Sequence, residues 1–302
     1  MNILNKIVVA TVPLVPRTIV RKFAGRYIAG EETSDAVRVV KHLNNQGMLA
    51  TLDVLGESIT QNDEATAATE MIIEVIKTIE KEKLDSNVSI KLTQLGLKLD
   101  RDFCLNNVKR IVQAAKERNN FVRIDMEDSS CTDDTIWVYK EIRKQFDNSG
   151  IVLQAYLHRT ERDAVSMMDE GLKYFRLCKG IYIEPAQIAF KQKEEINKNF
   201  MRVVEIMLKQ KAYLGIATHD SELVDASYKL INEMKLQKHE YEFQMLLGVR
   251  PELRARILRD GHRIRVYVPF RRQWYQYSIR RFKENPQVAG QVFKSLFSSN
   301  HK

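Results

Sequence analysis

The sequence predicts an α/β protein that folds as a closed (β/α)8 barrel of the TIM type, with a helical segment ahead of the barrel. Three observations support this prediction: eight short strand-like runs, stretches of helical spacing between them, and strand starts that recur every ~23 to 39 residues. We expect residues 1–46 to form the N-terminal helical segment, packed on or near the barrel. Residues 47–302 would then form the barrel domain.

The strand-like runs are short and rich in β-branched, aromatic and other apolar residues, as expected for parallel strands covered on both faces. Pro269 suits the end of the last run, because proline cannot donate to a strand ladder. The runs cover residues 48–56, 87–93, 121–127, 151–157, 174–180, 213–220, 241–248 and 264–270.

Apolar residues between these runs recur three and four positions apart, which is the spacing of one helix face. Pro251 and Gly261 mark the start and the end of one such helix. The stretch after the fourth strand, residues 161–171, supports only a short helix. The other predicted faces include Ala36, Val37, Val40 and Leu43 before the first strand, and then residues around Ile72, Val108, Ile142, Val203 and Leu230.

An open, doubly wound sheet is the competing architecture for alternating strands and helices. Dinucleotide-binding sheets of that kind need several glycines directly after the first strand. Here the segment "VLGES" supplies only Gly56. The sequence therefore favours the closed barrel.

The 302 residues include 48 Lys and Arg against 39 Asp and Glu, for a formal net charge of +9. A basic excess of this kind favours nucleic acid, an anionic membrane surface or an acidic ligand. No zinc finger, recognition helix or aromatic-basic RNA motif accompanies it, so we expect no nucleic-acid partner.

Three cysteines, Cys104, Cys131 and Cys178, are an odd number without metal-ligand spacing and indicate a reducing compartment. The apolar N-terminal run is interrupted by Pro13 and Pro16 and is too short to span a bilayer. We therefore expect a cytoplasmic protein.

Peripheral contact with the inner face of the cytoplasmic membrane is a further expectation. The apolar N-terminal run carries Lys6, Arg17, Arg21 and Lys22, which suits contact with anionic lipid. The alternative is that residues 1–28 pack against the barrel.

Ionisable and polar residues collect at the predicted carboxyl ends of the strands, where barrel enzymes place their active sites. Unpaired buried charges are costly, so this concentration indicates a functional site. The residues are Asp53, Glu57, Lys91, Asp125, Glu127, Gln154, Arg176, Lys179, Thr218, His219, Asp220, Gln244 and Tyr267.

After the last strand, "WYQYSIRRFKENP" reads as a helix that ends near Pro286 and is delivered to the same end of the barrel. Tyr277 and Arg280 share a helix face, and Arg280 and Glu284 can pair. The site would be cationic, which suits a small carboxylic acid or cofactor phosphates; its cations would be Lys91, Arg176, Lys179, Arg280 and Arg281.

Two other chemistries are weaker alternatives. Lys91 could form a Schiff base, but it would share its site with several other cations. His219 and Asp220 of "ATHD" could begin a metal site, but a metal site would not tolerate the nearby positive charge, so we expect no metal. Cys178 lies within a strand, where a packing role is favoured over a reactive one.

Eight motifs in chain order are similar to those of the bacterial monofunctional proline dehydrogenases, over about residues 29–297. They are "ATLDVLGES", "SIKLTQLGL", "VRIDMED", "VLQAYLHRTERD", "RLCKGIYIEP", "ATHD", "YEFQMLLGVRPE" and "VYVPF…WYQYSIRRFKENP". The resemblance implies a distorted (β/α)8 barrel that binds FAD. It also implies oxidation of L-proline to Δ1-pyrroline-5-carboxylate, the first step of proline catabolism, with electrons passed to quinone.

The resemblance also implies roles for individual residues. For the substrate it implies a carboxylate clamp of Arg280, Arg281 and Lys91, aromatic walls at Tyr267 and Tyr277, an apolar floor at Leu246, and an organising Asp125. For FAD it implies Gln154, Arg176, Lys179, Gly180, Thr218 and His219, with Glu284 supporting the arginine pair.

Four residues depart from the family pattern: Ile181, Ile183, Leu247 and Arg271. A small residue is usual where Ile181 stands, and a glycine where Arg271 stands. These departures leave two alternatives, a relative that oxidises another cyclic imino acid and a catalytically weak flavin-binding member. For the enzyme itself, we expect a separate Δ1-pyrroline-5-carboxylate dehydrogenase to take up the product.

Overall fold

The structure, a computed structural model, describes residues 25–56 and 59–271. Within them, eight parallel strands pair in chain order, and the last strand pairs with the first, so the barrel is closed. The strands are β1 (Leu49–Val54), β2 (Ser86–Ile90), β3 (Val122–Ile124), β4 (Ser149–Gln154), β5 (Tyr174–Cys178), β6 (Tyr213–Ala217), β7 (Tyr241–Leu246) and β8 (Ile264–Phe270).

Among the described residues, one α-helix precedes the barrel, and one follows each strand from β1 to β7. They are α1 (Thr33–Asn45), α2 (Asn62–Lys81), α3 (Arg101–Lys116), α4 (Thr132–Arg143), α5 (Thr160–Asp169), α6 (Lys193–Lys209), α7 (Ser221–Glu233) and α8 (Pro251–Arg259). Short 3-10 turns at Leu92–Leu95 and Ser129–Cys131 follow β2 and β3. The predicted (β/α)8 architecture is confirmed, and α5 is short, as expected.

The helices form where one face is apolar and the ends are capped. The buried face of α2 includes Ile72, Val75, Ile76 and Ile79, which are spaced three and four residues apart. Asp100 caps α3 by accepting a hydrogen bond from the main-chain N–H of Phe103 at 2.7 Å. These apolar faces pack on the outside of the strands and form one continuous core.

Helix α1 packs against β1 and β8 through Ala36, Val40 and Leu43, which belong to the same core. The segment before it is also tied to the end of β8, because Ala29 donates its N–H to the carbonyl of Pro269 at 2.9 Å. Residues 1–24 lie outside the described residues, so the boundary at residue 46 stays a prediction.

The interior of the barrel is polar below the carboxyl ends of the strands. Arg265 forms an ion pair with Glu242 at 2.7 Å; Glu242 is buried and Arg265 is partly buried. Burial alone raises the pKa of Glu242, but the charge of Arg265 lowers it overall. Arg123 donates to the carbonyls of Ile151 and Tyr174. These interior contacts link several strands beneath the functional end of the barrel.

Strand β3 is shorter than predicted, spanning three residues where the sequence pattern suggested residues 121–127. Asp125 still donates its N–H to the carbonyl of Ile90 at 2.9 Å, but the pairing with β4 ends at Ile124. No helix among the described residues is long and apolar enough to cross a membrane.

Candidate functional site

A cavity of about 430 Å³ opens at the carboxyl ends of the strands. A volume of this size is typical of small-molecule sites. All ten predicted site residues that the structure describes line it: Lys91, Asp125, Gln154, Arg176, Lys179, Gly180, Thr218, His219, Leu246 and Tyr267. The other four, Tyr277, Arg280, Arg281 and Glu284, lie outside the described residues, and so does Glu57.

Four charged side chains form an alternating row on one side of this cavity. Lys91 Nζ lies 3.0 Å from Asp53 Oδ1 and 3.4 Å from Asp125 Oδ2, and Arg176 lies 2.6 Å from Asp125 Oδ1. Two carboxylates and two cations balance within the row. Such balance is expected, because buried charges need partners.

The two carboxylates of the row have different surroundings. Asp125 accepts hydrogen bonds from Ser89, Lys91, Arg176 and Tyr267. Burial alone raises the pKa of Asp125, but the charges of Arg176 and Lys91 outweigh burial and lower it. Burial also raises the pKa of Asp53, and the nearby charge of Asp125 adds to that rise. Asp125 is therefore the carboxylate that is held firmly ionised.

Lys91 donates to three acceptors, with Tyr267 OH at 3.1 Å as the third. Burial alone lowers the pKa of Lys91, but Asp53, Tyr267 and Asp125 reverse this and raise it well above its usual value. Lys91 is therefore a firmly charged ammonium, which argues against a Schiff-base role because that chemistry needs a neutral amine.

Tyr267 closes the row from the last strand. Its hydroxyl donates to Asp125 Oδ2 at 2.8 Å, and its ring lies beneath the guanidinium of Arg176, 5.3 Å from the ring centre. The ring is therefore fixed at one end by hydrogen bonds and on one face by a cation.

A second group of side chains comes from β4, β5 and the segment after β6. Gln154 is buried and donates to the carbonyl of Met126 at 3.3 Å, whereas its Oε1 has no hydrogen-bond partner among the described residues. Gly180 has φ +102°, and a Cβ there would collide with the ring of Tyr156. A side chain at residue 180 is therefore excluded both by the backbone and by space.

Contacts in and around the loop after β6 fix three further cavity residues, His219, Lys179 and Thr218. His219 Nε2 accepts the N–H of Leu246 at 2.9 Å, so a neutral ring carries its proton on Nδ1. Lys179 pairs with Asp220 at 2.7 Å, and Asp220 accepts a hydrogen bond from the N–H of Glu222 as the N-terminal cap of α7. Thr218 Oγ1 accepts the N–H of Asp220 at 3.1 Å.

Several contributors were not assigned to the site from the sequence. Asp53 was recognised as a strand-end residue but not as the partner of Lys91, and Tyr182 was not considered although it lines the cavity. Ser89, which donates to Asp125, could have been found because it lies two residues before Lys91 and shares its strand face. Ile181 lines the cavity and is half exposed, whereas Ile183 faces solvent.

The metal alternative finds no support within residues 25–56 and 59–271. No group of three or more His, Cys, Asp and Glu side chains there is arranged to hold a metal ion. Cys178 lines the cavity, and burial raises the pKa of its thiol, which disfavours a reactive thiolate.

Comparisons with known proteins identify the family. A model of the proline dehydrogenase family matches residues 36–294. Proline dehydrogenase 2 of Bacillus subtilis is 36% identical over 276 residues, covering 91% of both chains. Proline dehydrogenase of Deinococcus radiodurans is 34% identical over 278 residues, covering 90% of this chain and 89% of the relative.

Solved structures show the same architecture. Proline utilization A (PutA) from Bdellovibrio bacteriovorus, inactivated by N-propargylglycine, matches with a TM-score of 0.83 and 25% identity. The match covers 88% of this chain and 33% of that one, so the chain spans about a third of the length of PutA. The family match extends over most of the sequence, and relatives more than 30% identical cover nine tenths of it. The chain therefore belongs to the proline dehydrogenase family.

Proposed function

We propose that this enzyme oxidises L-proline to Δ1-pyrroline-5-carboxylate with FAD as the hydride acceptor, and that quinone then takes the electrons. Membership of the proline dehydrogenase family supports the substrate and the reaction type. The observation that carries the proposal is the convergence of ten candidate residues, from seven strand ends, on one cavity.

The cavity residues suit a flavin. Gln154 offers a buried acceptor, Oε1, that has no partner in the described part of the chain, so a ligand N–H could satisfy it. Arg176 and Lys179 offer positive charge, and Gly180 lines the cavity beside them. We assign these residues, with Thr218 and His219, to the flavin. When bound, FAD would supply the hydride acceptor.

The chain's own residues would hold the substrate. The positive charge of Lys91 would attract the proline carboxylate, although the ammonium already donates to Asp53, Asp125 and Tyr267. A direct contact between Lys91 and the carboxylate would therefore replace one of these three hydrogen bonds. We assign the rest of the carboxylate clamp to Arg280 and Arg281, with Glu284 supporting the pair.

The other walls of the cavity would limit the orientation of the substrate ring. Tyr267, held by Asp125 and Arg176, presents a fixed ring to the cavity, and Leu246 adds an apolar surface. We assign a second aromatic wall to Tyr277. Holding the substrate in one orientation removes much of the entropic cost of reaching the reactive geometry.

The loss of flavin absorption when substrate is added tests this proposal. The purified protein should be yellow, and L-proline should bleach the flavin absorption under anaerobic conditions. Protein with no affinity for FAD would contradict the flavin assignment. Protein that binds FAD but is not bleached by any cyclic imino acid would instead be a catalytically weak member of the family.

A different cyclic imino acid is the second candidate substrate, because Ile181 adds bulk to the cavity. The same anaerobic titration with a six-membered ring imino acid separates the two. Faster bleaching by L-proline supports the proposal, whereas faster bleaching by the larger ring supports the alternative.

We also propose a cytoplasmic protein that contacts the membrane surface, where a quinone acceptor would reside. The charge distribution supports this. Residues 1–24 hold four Lys and Arg and no acidic residue, and residues 272–302 hold six against one Glu. Residues 25–271 hold equal numbers of basic and acidic side chains, so the net +9 belongs to the two terminal segments.

A further inference from the structure

The loop after β5, residues 179–192, hereafter the β5 loop, exposes apolar side chains and buries an acidic one. Ile181 is 53% exposed and Ile183 is fully exposed, whereas Glu184 is only 5% exposed. This reverses the usual placement of these residue types. Burying a carboxyl group is unfavourable unless hydrogen bonds compensate for the lost water, so Glu184 must have strong partners.

Both carboxylate oxygens of Glu184 bind one serine in another loop. Oε1 accepts the main-chain N–H of Ser129 at 2.7 Å, and Oε2 accepts its hydroxyl at 2.5 Å. Lys191, near the end of the same loop, donates to the main-chain carbonyl of Glu184. We call the two bonds between Glu184 and Ser129 the Glu184 clasp.

The same arrangement occurs once more beside it. Glu127 accepts the N–H of Thr93 at 3.0 Å and its hydroxyl at 2.5 Å, and Glu127 is also buried. Thr93 follows β2, whereas Glu127 and Ser129 both follow β3. The segments after β2, β3 and β5 are therefore joined in series by two carboxylate clasps.

The clasps lie close in sequence to cavity residues. Thr93 is two residues after Lys91, Glu127 is two residues after Asp125, and Glu184 is two residues after Tyr182. Lys91, Asp125 and Tyr182 all line the cavity. A shift of the Glu184 clasp would therefore move a cavity wall without altering any residue that faces the cavity.

We propose that Glu184 is a positioning residue for the substrate site. By clamping Ser129, it holds Ile181 and Tyr182 of the β5 loop at the cavity wall. The identity of the substrate in this inference rests on the proposed function. The role of the clasp does not. We call the arrangement of the β5 loop in which this clasp is formed the closed arrangement; without the clasp, the loop would adopt other arrangements as well.

The expected effect follows from the population of the closed arrangement. Apparent affinity falls in proportion to the fraction of molecules that can bind. If Glu184→Gln leaves about a tenth of the molecules closed, the dissociation constant of a ring carboxylate should rise about tenfold. Turnover at saturating substrate should change little, because saturation restores the closed arrangement.

The experiment compares Glu184→Gln, Ser129→Ala and the double variant with the parent holoenzyme. We would measure KM and kcat for L-proline, competitive inhibition by cyclopentanecarboxylate, and hydrogen exchange of residues 186–190. Glu184→Gln should raise KM and the inhibition constant about tenfold, leave kcat within about twofold and speed exchange in the loop. Glu195→Gln is the matched control, since this Glu is exposed on the first turn of α6 and should change nothing.

The double variant separates the clasp from other roles of Glu184. Because both single changes break one interaction, the double variant should be no worse than Glu184→Gln alone. Additive effects, or unchanged inhibition and exchange in both single variants, would overturn the inference. If Glu184→Gln does not fold, Ser129→Ala still tests it, since only the hydroxyl bond is removed. A parent that L-proline does not reduce contradicts the proposed function instead, and hydrogen exchange still tests the clasp.

Discussion

Arg271 has a backbone conformation that glycine adopts more easily. Its φ is +113°, and its main-chain N–H donates to the carbonyl of Gly30 at 2.9 Å. L-residues rarely adopt such angles, because the Cβ crowds the backbone. The resemblance implied a glycine at this position, and a positive φ is a conformation that glycine accommodates without strain.

Replacing Arg271 with glycine should stabilise the protein. The relief of backbone strain is worth about 1–3 kcal/mol, and the greater freedom of glycine in the unfolded chain returns part of it. We expect the free energy of unfolding to rise by about 1 kcal/mol, measured by urea denaturation. Arg271→Ala is the matched control because it removes the guanidinium but keeps the Cβ. A gain in the alanine variant equal to that in the glycine variant would mean that strain is not the cause.

Which residues meet at the site could be predicted, but the pairs they form could not. Parallel strands in a barrel converge at their carboxyl ends, so Lys91, Asp125 and Arg176 were expected to meet. That Lys91 lies against Asp53 depends on the register, which sets Asp53 opposite Ser89. The sequence pattern predicts strand faces but not register, and a different register would have given Lys91 other partners.

The start of α7 links a helix cap to the cavity. Asp220 caps the helix through the N–H of Glu222 at 3.1 Å and pairs with Lys179 at 2.7 Å. Burial alone raises the pKa of Asp220, but the hydrogen bond and the charge of Lys179 lower it to about 2. A carboxyl with a lowered pKa stabilises the fold above its unfolded pKa of about 3.9, and that stabilisation is lost as the pH falls toward 2.

Asp220→Asn should isolate the contribution of this charge, because asparagine caps helices about as well as aspartate. We expect a loss of about 1 kcal/mol in the free energy of unfolding at pH 7, shrinking between about pH 4 and pH 2. Urea denaturation at pH 7, 4 and 3 measures it. Asp100→Asn is the control, since Asp100 caps α3 without an ion pair in the described part of the chain. A loss that does not vary with pH would contradict the assignment to charge.

The helices and strands could be predicted well where the periodic apolar pattern extended over many residues, and less well at β3. The pattern of residues 121–127 alternates as a strand would, yet only Val122, Arg123 and Ile124 pair with β4. Beyond them, Asp125 binds Arg176 and Glu127 binds Thr93, so side-chain contacts replace the strand ladder. The alternation of apolar and polar residues indicates which face of a strand is apolar, but it does not indicate where the strand pairing ends.

The distribution of charge over the molecule predicts salt-sensitive membrane binding. Because residues 25–271 carry no net charge, we expect the attraction to anionic lipid to come from the terminal segments. Co-sedimentation with vesicles of anionic phospholipid should be strong at low salt and weak at high salt. Replacing Lys6, Arg17, Arg21 and Lys22 with glutamine should weaken it by roughly 1 kcal/mol per side chain.

The control for that experiment is Lys193→Gln, which removes one exposed charge from the barrel surface. It should leave vesicle binding nearly unchanged. Binding that is insensitive to salt, or equal in the fourfold variant and the parent, would mean that residues 1–24 do not attract the lipid surface.

Closure of the barrel has a consequence for how the chain is made. Strand β1 pairs with β8 along six positions, from Leu49 opposite Arg265 to Val54 opposite Phe270. The two strands are more than two hundred residues apart, so β1 emerges from the ribosome long before β8 does. Until then one edge of β1 has no partner and can pair with another nascent chain. The finished barrel has no open edge, but the growing chain has one for most of its synthesis, and the yield of soluble protein should therefore depend on how fast translation reaches β8.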